Sequence, residues 1–211
     1  FRFDKSFIKD YLLIGLFGGA QILLDNVVYF VIVCKMVNVV AQQGNYWTAN
    51  NIIWGLMLIP MSALAEIIKK DCRDKLTATK MKQYHTVIIA TAFVWLCFIP
   101  LLNPFLKNVM GIENFEAIKH ILVILIPFYF AYNYTVLFDN ILIGYGKTYF
   151  GFAISVIVNL IYYPIVYGFV LNGIFTPDIT FICMMFGFGM VMHLGCSIVC
   201  FMIYTKRFCK T

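Results

Sequence analysis

Apolar positions gather along this chain into six long runs, about 10–34, 47–68, 84–103, 118–139, 148–172 and 179–204, with polar and turn-forming residues crowded between them. A hydrocarbon layer of about 30 Å is crossed by roughly 20 apolar residues in helical form. Each run reaches that length, so the pattern predicts an all-α integral membrane bundle of six transmembrane helices forming a single domain over 1–211. The breaks are QQGN (42–45), KKDCRDKLTATKMKQ (69–83), NPFLKNVMGIENFE (103–116), GYGKT (144–148) and NGIFTPD (172–178). They are short, which predicts antiparallel packing of successive helices.

Composition supports the same class. Of the 211 residues 62% are hydrophobic and 12% charged, with a mean hydropathy of +0.86. A soluble domain carries about a quarter charged residues, so this much apolar surface calls for the bilayer as solvent. The distribution of charge then gives an orientation, because basic loops stay cytoplasmic. With the N-terminus inside, 13 of the 16 basic residues fall in the inside segments and only Lys35, Lys107 and Lys119 outside. Both termini are therefore expected in the cytoplasm of a cell-membrane protein. The net charge of +6 is topological on this view, and a nucleic-acid partner is not implied. The chain opens on Phe1 without a signal-peptide pattern, which reads as a piece of something longer.

Seven cysteines, mostly inside apolar runs, read as small buried hydrophobes rather than a disulfide framework. Cys196 and Cys200 lie one turn apart with no further ligand nearby, so no metal is expected. Pro60, Pro100, Pro127 and Pro164 stand in or near spans. Each removes a backbone hydrogen bond and predicts a kink, or, for Pro60 and Pro127 above all, a hinge or locally opened helix lining a cavity. Gly15 and Gly19 have the spacing of a closely packed helix pair.

No hydrolase elbow, phosphate-binding loop, zinc-binding helix or dinucleotide fingerprint occurs in the sequence, so no enzyme is expected and no cofactor is called for. Intramembrane polar groups carry the candidate chemistry instead. Asp25 stands near the middle of the first span, with Gln21 on its face and Asn26 beside it. A carboxylate at that depth costs about 2.5–3.5 kcal/mol on insertion scales and usually faces a cavity or a partner. It either fixes helix packing or exchanges H⁺ or Na⁺ during a conformational change. Asn50 and Asn51 open the second span, Tyr129 and Asn133 share a face of the fourth, and Ser155 and Asn159 share one of the fifth. Glu66 reads as an interfacial partner of Lys69 and Lys70, Asp139 as a cap at the end of its span, and His193 as a packed, hydrogen-bonded histidine.

The stretch GYGKTYFGFAISVIVNLIYYP, with Gly144, Gly146, Thr148, Asn159 and Pro164, resembles the join between the fourth and fifth helices of each lobe in multidrug and toxic compound extrusion (MATE) transporters. IIWGLMLIPMSALAE resembles the second helix of a lobe. Gly15-Leu16-Phe17, followed eight residues later by Asp25, is similar to the opening helix of the C-terminal lobe, where relatives carry Gly-Leu-Pro. The resemblance implies one six-helix lobe of a two-lobe exporter, with a second lobe in the same chain or another subunit. It further implies export of organic cations or amphiphiles, coupled to H⁺ or Na⁺ by alternating access.

Asp25 would then be the coupling acid with Gln21 and Asn26 beside it, and Asn51, Tyr129, Tyr132, Asn133 and Asn159 would line the cavity. Phe17 replaces the usual proline, and Glu66-Ile67-Ile68-Lys69 replaces the family's Gly-Gln pair. Tyr132 stands where some relatives carry a second acid, which favours a single-acid proton site over a two-carboxylate Na⁺ site. The same superfamily includes flippases of lipid-linked oligosaccharides, and a non-transporting membrane scaffold is a third possibility.

Overall fold

The computed structural model describes residues 5–72 and 76–208. Arg2, Arg73, Lys75 and Lys210 of the charge count, together with Cys209, lie outside the described residues. Helix makes up 89% of the structure, and no strand occurs among the described residues. The spans are α1 (Tyr11–Val39), α2 (Gln43–Met57), α3 (Ile59–Asp71), α4 (Ala78–Val109), α5 (Phe115–Gly144), α6 (Thr148–Leu171) and α7 (Ile179–Lys206). Five of these helices are long and apolar enough to cross a membrane, and the bent pair α2 and α3 passes the same test only when its halves are taken together, as a broken span or a re-entrant loop. The chain is an all-α, multi-pass membrane protein.

The polar breaks are shorter than the sequence predicts. Helix α3 continues to Asp71, and the next helix resumes at Ala78 rather than near residue 84. Interfacial lysines allow this, since their charged heads reach water while their stems extend the helix. Thr77 caps that helix by accepting from the Lys80 backbone amide. Asp71 accepts from the Tyr84 hydroxyl at 2.6 Å and pairs with Lys80 at 2.9 Å, so one acid ties α3 to α4. Glu66 pairs with Lys69 on its own helix.

Helix α5 is the axis of the bundle. It buries 44% of its span, against 22–33% in the other unbent spans, and it packs chiefly against α7 and α3. Helix α1 packs mainly along α6, where Phe17 stacks between Tyr149 and Phe152 and Thr148 donates to the Ile14 carbonyl. The turn between α5 and α6 requires Gly146, whose φ of +70° is a conformation that side-chain-bearing residues rarely adopt. Gly144 admits the close approach of Cys72 on α3.

Prolines act unequally. At Pro60 the chain bends by 49° between α2 and α3, and the Met57 carbonyl at the break accepts from Trp95 Nε1 of α4 at 3.2 Å. A neighbouring helix thus re-satisfies backbone that the bend releases. Pro100 sits in a tight 3₁₀ turn and Pro164 follows a wide π turn. Pro127 opens nothing, contrary to the expected hinge: α5 is helical without interruption from Phe115 to Gly144. Its flanks Leu125, Ile126 and Tyr129 are fully packed, which holds the helix together around the missing bond. At Gly15 and Gly19 a Cβ would meet no atom of the described residues within 4 Å, so neither glycine makes the close helix contact that the spacing predicts there.

Candidate functional site

Among the described residues four wide π turns interrupt the helices, at Tyr29–Cys34, Ile53–Met57, Phe105–Val109 and Val158–Tyr162. Such turns expose backbone and re-aim side chains, and they recur at functional sites. Three of the four place residues on one cavity: Tyr29 and Val33, Trp54, and Val158 and Asn159. The cavity holds about 740 Å³ and is walled by α1, α2, α5, α6 and α7. Neither α3 nor α4 contributes to it.

Asp25 sits half-buried in the α1 wall. Its Oδ1 accepts from Ser155 Oγ at 2.5 Å and from Asn159 Nδ2 at 2.6 Å, and Asn159 also donates to Ser155 Oγ at 3.0 Å. Ser155 and Asn159 are four apart on α6, so one helical face presents both donors. Ser155 is fully buried and Asn159 nearly so, which fixes the cradle before any ligand arrives. Gln21, one turn before Asp25, lies against Gly151 of α6, where a Cβ would overlap its side-chain amide. Asn26 lines the cavity while donating back to the Ile22 carbonyl at 2.7 Å.

A second carboxylate lines the cavity from α5. Asp139 of α5 accepts from Ser197 Oγ at 2.6 Å through Oδ1, and its Oδ2 lies 2.9 Å from His193 Nε2. His193 and Ser197 are again four apart, on α7. Both Asp139 and His193 line the cavity. Placing Asp139 as an interfacial cap missed this because the sequence shows where a span ends, not which helices converge there. The signal available in advance was His193 and Ser197 at one-turn spacing inside an apolar run.

Of the other candidates, Asn51, Tyr132 and Asn159 line the cavity. Tyr132 stacks edgewise on Trp54 with ring centroids 5.4 Å apart and lies within electrostatic reach of both Asp25 and Asp139. Tyr129 and Asn133 do not line it: both are fully buried on the packed side of α5. Tyr129 packs edgewise against Trp54 and Tyr132, and both polar atoms of the Asn133 side chain meet no hydrogen-bond partner among the described residues. Facing residues of α2 complete the rim, where Asn50 donates to the Tyr29 hydroxyl at 2.7 Å and Trp47 stacks edgewise on Tyr29.

The cavity therefore combines two carboxylates, one imidazole, several aromatic rings and neutral amides, with no lysine or arginine among its lining residues. A carboxylate held by neutral donors keeps acceptor capacity for a proton, a metal cation or an organic cation. Tryptophan and tyrosine faces attract cations as well. The chain matches no family model, no curated protein and no solved structure.

Proposed function

We propose that this chain is a six-helix lobe of a cation-coupled secondary exporter, similar to a lobe of the MATE transporters, in a cell membrane with both termini cytoplasmic. The observation that carries it is Asp25, a carboxylate in mid-span, held through Oδ1 by Ser155 and Asn159 in the wall of a cavity of about 740 Å³. A packing acid would be sealed between helices. This one is half-exposed to a cavity large enough for a small organic molecule.

Binding of H⁺ or Na⁺ at Asp25 would change the charge held between α1 and α6. The π turns of those helices, at Tyr29–Cys34 and Val158–Tyr162, lie next to the site, where a change in helix geometry needs the fewest broken bonds. Rocking against a second lobe would then expose the cavity alternately to either side. The cargo class follows from the lining, whose acids and aromatic rings without basic residues suit a cationic amphiphile. A pyrophosphate-linked saccharide would call for arginine or lysine there, which disfavours the flippase alternative.

Reconstitution of the full protein in liposomes tests this. Efflux of a lipophilic cation should follow an imposed H⁺ or Na⁺ gradient and fall to the level of protein-free liposomes in Asp25→Asn. Equal efflux from parent and Asp25→Asn would remove Asp25 as the coupling acid, and efflux from neither would leave the scaffold reading.

A further inference from the structure

Asp25 and Asp139 are held by the same geometry and by different chemistry. In each case two residues four apart on a neighbouring helix bind the carboxylate: Ser155 and Asn159 of α6 on Asp25, His193 and Ser197 of α7 on Asp139. The first pair cannot change its charge. The second contains an imidazole, the side chain whose charge changes between about pH 5 and 8.

Resting on the reading of the cavity as a chamber for cations, we propose that Asp139, His193 and Ser197 form a second proton-binding site, with His193 as the proton acceptor. The contacts assign the atom. Ser197 occupies Oδ1 of Asp139, and His193 Nε2 faces Oδ2 at 2.9 Å. In the proposed arrangement Asp139 acts as the acceptor, so Nε2 carries the hydrogen that faces it and the exchanging proton resides on Nδ1. The two side chains are 18% and 14% exposed, so their attraction is screened less than that of a surface pair.

Helix α5 brings Asp139 and Tyr132 to the cavity, α1 brings Asp25 and Tyr29, and α6 brings Tyr163, whose hydroxyl reaches Gly189 on α7. Helix α2 brings Trp47, Asn50, Asn51 and Trp54, none of which titrates. Helix α7 itself carries Cys196 and Cys200. Asp25 is within electrostatic reach of His193. None of these groups is a permanent cation. Protonation of His193 therefore adds one positive charge to a lining whose other charged groups are acids, and it weakens the hold on a cationic ligand from a site separate from the Ser155 and Asn159 cradle of Asp25.

Histidine-specific ¹⁵N labelling of the full protein in detergent micelles, read by NMR between about pH 5 and 8, tests the site directly. His193→Gln keeps an N–H donor opposite Asp139 and cannot titrate, so the resonance it removes belongs to His193 rather than His85 or His120. His193→Asn gives the same assignment independently. The His193 resonance is expected to move from its neutral to its charged position across this range. Its midpoint should change in Asp139→Asn, while Asp25→Asn leaves the transition in place. Tetraphenylphosphonium binding, read by quenching of tryptophan fluorescence, should lose part of its pH dependence in His193→Gln. A His193 resonance that stays put, or a midpoint that Asp139→Asn does not change, overturns the proposal. Neither measurement needs a transport cycle, so loss of gradient-driven efflux with the titration intact would count against the exporter alone.

Discussion

Asn159 donates its side-chain amide to Asp25 Oδ1 at 2.6 Å while also donating to Ser155 Oγ at 3.0 Å, so a single amide binds both the acid and the acid's other donor. Across 134 positions of sequence, this contact joins α1 to α6 on the cavity wall. It also lies within the π turn Val158–Tyr162, where the helix is already widened. The strength of this bond and the freedom of that turn are consequently linked.

Asn159→Leu should weaken the fold as well as the site. The substitution keeps the approximate volume but removes a donor to a charged group, a loss of about 1.5–3 kcal/mol. Thermal unfolding followed with a thiol-reactive dye suits this protein, because Cys34, Cys72 and Cys183 are buried and become reactive on opening. A lower midpoint is expected, whereas Asp25→Asn should stay close to the parent because its amide oxygen still accepts from Ser155 and Asn159. Equal midpoints for Asn159→Leu and the parent would mean that the bond contributes nothing to holding α1 on α6.

Asn133→Leu should do the opposite. Both polar atoms of Asn133 are buried without a partner among the described residues, and replacing an unsatisfied group by an apolar one of similar shape removes a desolvation penalty of about 1–3 kcal/mol. A raised unfolding midpoint with unaltered cation binding is the expected result. Loss of cation binding would show that Asn133 serves the site after all, from behind Tyr132.

Legibility of the sequence differed between fold and site. Apolar run length alone located the five long apolar helices and the bent pair α2 and α3, because hydrocarbon thickness admits few alternatives. Boundaries drifted outward by about half a dozen residues at α4, since interfacial lysines do not stop a helix. Asp25 was legible through its cost at mid-span, and Ser155 and Asn159 through their shared face. Asp139 was not, because its depth along the chain gives no sign of convergence with α7. Tyr129 and Asn133 show the converse limit: helical periodicity places them on one face but cannot say whether that face meets the cavity or the core. The bend at Pro60 and its absence at Pro127 depend on the packing of neighbours, which no single segment encodes.

Gly144 and Gly15 should respond differently to a methyl group. A Cβ at Gly144 would stand 2.8 Å from Cys72 Cβ and 3.2 Å from the Lys69 backbone, so Gly144→Ala forces α5 and α3 apart. Overpacking of this kind costs about 1–3 kcal/mol. Gly15→Ala meets nothing within 4 Å and should leave the unfolding midpoint of this chain unchanged or slightly higher, given alanine's better helix propensity. A midpoint lowered by Gly15→Ala in detergent-purified protein would reveal a partner surface packed on that face.

Orientation can be read chemically, from side chains at opposite ends of the bundle. Lys70 lies exposed at the α3 end and Asn108 exposed at the far end of α4. The proposed orientation, read from the excess of basic residues on the Lys70 side, has that end in the cytoplasm. In a background with the native cysteines replaced, a membrane-impermeant maleimide added to intact cells should label Asn108→Cys and spare Lys70→Cys until the membrane is opened. The reverse order would invert the protein and place both termini outside. Labelling of both positions in intact cells would instead mean a chain that does not adopt one topology, which the strong asymmetry of the basic residues argues against.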